Sequence, residues 1–115
     1  MNASGAQGRR LGPARHERPE IDDAALVAAR AADRLLAGAR ERGSVRWSTY
    51  FEPLPDRLRD DEVHDLRGTA LRIRAAYGPR DSVRDVLPQG LTETLLDAVD
   101  RLLKLLARRE ANGGL

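Results

Sequence analysis

Apolar residues along this chain recur at intervals of three and four positions, the period at which a helix turns one face to a core. Three segments carry the pattern. The first predicts a helix over 22–42, with Asp22 as N-cap, Asp23 at the positive end of the dipole, and Ile21 and Leu26 at hydrophobic-staple spacing. Its interior is mostly alanine, relieved by Leu26, Val27, Leu35 and Leu36, and Gly43 is the expected stop. The second predicts a helix over 61–77 capped by Asp60. Val63, Leu66, Ala70, Ile73 and Tyr77 form a seam in it, and Gly78-Pro79 ends it.

The third segment, LTETLLDAVDRLLKLLARRE from Leu91 to Glu110, predicts a helix starting at Thr92. Leu95, Leu96, Val99, Leu102, Leu103 and Leu106 fill an arc of roughly 120° at 100° per residue. Leu105 and Ala98 widen it to about half the circumference, beyond the ~100° stripe of an ordinary surface helix. Such an excess has two destinations: the centre of a three-helix core, or contact with a second chain. Asp97–Arg101 and Asp100–Lys104 stand at ion-pair spacing in the favourable order.

The intervening segments are less regular. In SVRWSTYFEPLPDRLR, residues 44–59, Trp47, Tyr50, Phe51 and Leu54 fit one helical face. Pro53 and Pro55 argue against regular structure at the end of the run, so a short helix or extended strap is expected. Residues 82–87 read as one helical turn under an Asp81 cap, stopped by Pro88 and Gly90. The first twenty residues lack large apolar side chains and predict a disordered basic arm. Arg9, Arg10, Arg15 and Arg18 outnumber Glu17 and Glu20 there. The fold class is therefore all-α: a compact three-helix bundle with an additional short helix, as one domain over 21–111 behind the arm 1–20.

Composition narrows the chemistry. With 115 residues, 41% hydrophobic but only 3% aromatic, the core must be built from Leu, Val, Ile and Ala. The absence of cysteine rules out disulfides, thiolate catalysis and cysteine zinc sites. Nearly all cations are arginine, a bias typical of GC-rich bacterial coding that carries no function. No leader or membrane span is evident, and a cytoplasmic location is expected.

The sequence contains neither a phosphate-binding glycine loop nor a Gly-x-Ser-x-Gly elbow. His64 beside Asp60 and Asp65 lacks an evident nucleophile, and Asp61 with Asp65 lacks the glycine-turned loop of a calcium site. No cofactor, metal or enzymatic activity is expected. What stands out is apolar and cationic. Trp47, Tyr50 and Phe51 are three of the four aromatics, and aromatics dominate binding hot spots. Acids crowd 52–65 and arginines 66–84. Arg67 and Arg74, one heptad apart with Leu71 between them, form a cationic ridge that Arg80 and Arg84 extend.

The expected function is a non-enzymatic interaction module, an adaptor or regulatory subunit. It would bind a protein partner or itself through Trp47, Tyr50, Phe51, Arg67, Leu71, Arg74, Leu102, Leu105 and Leu106. The alternative is a nucleic-acid-associated regulator using the basic arm and the Arg67/Arg74 ridge. A third reading, a small catalytic bundle, requires Trp47, Tyr50, His64 and Arg67 to converge on a pocket.

Overall fold

Proline opens the helices that frame this molecule. The computed structural model describes residues 14–113, which form five α-helices, two 3-10 turns and no strand. The arm's first thirteen residues lie outside the described residues. Ala14 to Glu20 lie inside, as a 3-10 turn over Arg15–Glu17 and the first residues of α1 (Pro19–Glu41).

Helix α1 therefore begins three residues before the expected Asp22. Pro19 occupies the first helical position, where its fixed φ suits the helix and its missing N–H is not needed. Ile21 is consequently a buried helical residue rather than half of a staple, and Leu26 is only half-buried. Asp22 is not the cap but accepts a hydrogen bond from Arg15 Nε at 2.8 Å.

The alanines explain the position of α1. Ala24, Ala28, Ala31, Leu35 and Ala39 form one buried row, and Ala25, Ala29, Ala32 and Leu36 an adjacent one. Two apolar rows bury a helix on more than one side, and small side chains let neighbours approach to about 8 Å. Helix α1 packs on α2 (Val45–Phe51), α3 (Leu54–Asp60) and α5 (Gln89–Gly113). The alanine-rich first helix thus has three helical neighbours. At its end the Ser44 N–H donates to Ala39 O (2.9 Å) and the Gly43 N–H to Arg40 O (3.0 Å), a Schellman stop with Gly43 at φ 70°.

Residues 44–59 are two short helices rather than a strap. Ser44 caps α2 by accepting the Trp47 N–H at 3.3 Å. Pro53 and Pro55 initiate α3 instead of breaking it, because Pro53 is its N-cap and Pro55 stands in its first turn. Arg15 holds the other end. Its Nη1 donates to the carbonyls of Leu58 (2.7 Å), Arg59 (2.9 Å) and Asp61 (3.1 Å), so a residue expected in a loose arm closes the C-terminus of α3.

Helix α4 spans Val63–Ala75, two residues shorter at each end than expected, with Glu62 at the N-cap. Asp60 ends α3 rather than capping α4, and Asp61 accepts a hydrogen bond from Thr69 Oγ1. The seam Val63, Leu66, Ala70 and Ile73 is buried as expected. Tyr77 lies just past the helix and donates its hydroxyl to Thr92 O at 2.7 Å. The next turn is 3-10, Val83–Asp85. It is capped by Ser82 rather than by Asp81, which has φ 51°.

Helix α5 starts at Gln89, three residues early, with Pro88 O accepting the N–H groups of Leu91 and Thr92 at 3.1 Å. It lies against both α1 and α4. That two-sided contact accounts for the wide leucine arc.

Candidate functional site

The nine candidate residues separate into three groups. Leu102, Leu105 and Leu106 are buried inside the chain itself, at 0%, 6% and 3% exposure. Leu102 and Leu106 are closed off from a partner, and Leu105 shows only the little surface it contributes to a cleft between the ends of α1 and α5. Leu102 and Leu106 are therefore core residues.

Trp47 and Phe51 are likewise core residues, at 3% and 0% exposure. Their rings and that of Tyr50 pack together at centroid distances of 5.3–6.1 Å, and Arg46 covers the Trp47 ring at 4.6 Å. In a core with few aromatics they fill the space that leucines leave beside α1. Half-buried Tyr50 donates its hydroxyl to Arg72 O at 2.6 Å, satisfying a carbonyl in the last turn of α4. The Arg72 guanidinium lies over its ring at 5.1 Å. Tyr50 thus fastens α2 to α4. Its neighbour Arg72 is eight residues from His64, about 12 Å along the helix, so Trp47, Tyr50, His64 and Arg67 do not converge on one pocket.

Arg67, Leu71 and Arg74 remain at the surface, on the side of α4 facing away from the core. At 100° per residue, Arg67, Gly68, Leu71, Arg74 and Ala75 lie within an arc of about 120°, and all five are exposed. Leu71 stands at the centre with 44% of its surface open. Arg74 pairs with Asp100 of α5, whereas Arg67 and Arg72 have no carboxylate partner among the described residues. Arg84 does not extend the ridge. It is bonded to Glu93 at 2.7 and 3.1 Å, and these hydrogen bonds, with its charge, hold the Glu93 carboxyl below the usual range. Arg80 is exposed.

Sequence periodicity missed two features. Asp100 pairs across to Arg74, and neither Asp97–Arg101 nor Asp100–Lys104 forms. Arg101, Lys104 and Arg108 consequently make an exposed cationic row on α5 with no acid partner among the described residues. A cleft of about 390 Å³ opens where the start of α1 meets the end of α5. Leu105 forms part of its floor, with Arg18, Arg108 and Arg109 set against Glu17 and Glu20. Contacts between residues nearly ninety positions apart leave no local signal.

Chemically, the outward face of α4 offers a hydrophobic contact framed by cations. Among the described residues no group of three or more His, Cys, Asp or Glu is placed to hold a metal ion. The imidazole of His64 lies 3.5 Å from Asp65 on the surface. No helix among the described residues is long and apolar enough to cross a membrane. Comparison with protein families, curated proteins and solved structures returns no match for this chain.

Proposed function

We propose that this chain is a non-enzymatic protein-interaction module, an adaptor or regulatory subunit acting in the cytoplasm, and that it docks through the outward face of α4. One observation carries the reading: Leu71 is exposed between Arg67 and Arg74 on a helix whose opposite face is fully buried. The three long helices α1, α4 and α5 act as a bundle braced by α2 and α3, and the bundle serves to hold that face rigid. The test places a photoreactive amino acid at Leu71, or at exposed Ala37 of α1 as control, in cells that encode the protein. Defined adducts from position 71 and none from 37 are expected. Absence of adducts at 71, or equal capture at both, contradicts the reading.

The row Arg101, Lys104 and Arg108, without an acid partner among the described residues, supports a second reading, association with nucleic acid. Affinity for duplex DNA must then fall steeply between about 50 and 200 mM salt. No binding at the lower concentration removes it.

A further inference from the structure

Gly68 is a cost to this helix that the chain itself does not explain. It stands in the middle of α4, exposed, with an ordinary helical backbone. A methyl group added there meets no atom within 4 Å among the described residues, so nothing internal requires a glycine. Glycine nevertheless weakens a helix interior relative to alanine. On the same face sit Leu71 and Ala75, flanked by Arg67, which has no carboxylate partner among the described residues, and by Arg74, which pairs with Asp100; Arg72, beyond Gly68, lies over the Tyr50 ring. Small residues beside one large apolar side chain let another helix approach to about 8 Å and place its own apolar residues around the leucine.

We infer that the occupant of this face is an acidic amphipathic helix of a different protein, packed along α4 with its backbone against Gly68 and its carboxylates against Arg67 and Arg74. The inference rests on the interaction-module reading and adds the class of partner. Charge complementarity selects that occupant over a second copy. Two α4 faces related by a two-fold axis near Leu71 would set Arg67 of each chain toward Arg74 of the other, a like-charge arrangement. A duplex nucleic acid would satisfy the arginines but would make no use of Gly68 or Leu71.

The experiment titrates the full chain with a synthetic helical peptide of about 20 residues, bearing a leucine–alanine stripe flanked by glutamates. A lysine-flanked version and a DNA duplex serve as comparisons. The glutamate peptide should bind and the lysine peptide should not, and Arg67→Glu should weaken binding by about tenfold or more. Gly68→Ala is the sharper variant. It should raise the melting temperature by about 4–8 °C, because alanine favours the helix, and yet weaken the peptide by about tenfold or more through loss of close approach.

The inference is overturned if the glutamate peptide does not bind, if the lysine peptide or the duplex binds as tightly, or if Gly68→Ala leaves peptide affinity unchanged. Failure here with position-71 adducts still forming in cells means that the partner class is wrong and the module reading stands. Loss of those adducts removes the module reading itself.

Discussion

Replacing Arg15 with alanine should destabilise the protein far more than its place near the N-terminus suggests. The side chain is only 13% exposed, and one nitrogen donates to three carbonyls at the end of α3 while Nε bonds Asp22 of α1. Charge-assisted hydrogen bonds contribute about 1.5–3 kcal/mol each when partly buried. Two independent groups are involved here, the carbonyl cage and the carboxylate. Arg59 and Asp61 are partly exposed, so water can reach their vacated carbonyls and reduce the sum, whereas Leu58 is buried. The expected loss is about 2–4 kcal/mol, or about 10–20 °C in melting temperature for a chain of this size. Arg15→Lys should recover less than half, since one ammonium cannot serve both sites. Urea unfolding followed by far-UV circular dichroism measures both variants, with exposed Arg18→Ala as reference. If Arg15→Ala costs no more than Arg18→Ala, the described role of the pre-helix turn is wrong.

Two further expectations concern single contacts. A Cβ at Gly38 would lie 2.6 Å from Leu91 Cδ1, so Gly38→Ala should cost about 1 kcal/mol in the native chain. It should become neutral or stabilising in a Leu91→Ala background, which a double-mutant cycle of unfolding free energies would show. Burial pushes the Tyr77 hydroxyl above its ordinary value near 10, so the unfolded chain loses that proton first as pH rises. Stability should therefore be level below pH 10 and fall above it. Tyr77→Phe should flatten that alkaline limb in thermal melts while costing about 1 kcal/mol at neutral pH through the lost bond to Thr92 O.

The main helices were legible because their seams repeat locally. Val63, Leu66, Ala70 and Ile73 could be assigned to a core from spacing alone, and Gly43 marked a stop that its positive φ explains. Helix starts were less legible. Pro19, Pro53 and Pro88 read equally as breakers and as initiators until the neighbouring carbonyls are placed. The leucine arc of α5 posed a similar ambiguity, since periodicity reports how wide an apolar face is but not whether it meets its own chain or another. Tertiary placement resolved Leu102, Leu105 and Leu106 to the interior, and left Arg67, Leu71 and Arg74 as the part of the candidate site that remains at the surface. Arg15 was beyond sequence reasoning because its acceptors lie more than forty residues away.

The division between an inward α5 and an outward α4 is tested most directly by comparing thermal melts of Leu102→Ala and Leu71→Glu at low protein concentration. Leu102 is fully buried, and its truncation should cost about 2–5 kcal/mol. Leu71→Glu, on an open face, should stay within about 0.5 kcal/mol of the parent. A Leu71→Glu melt depressed as far as that of Leu102→Ala would show that the outer side of α4 is packed within the chain, leaving no free surface there for a partner.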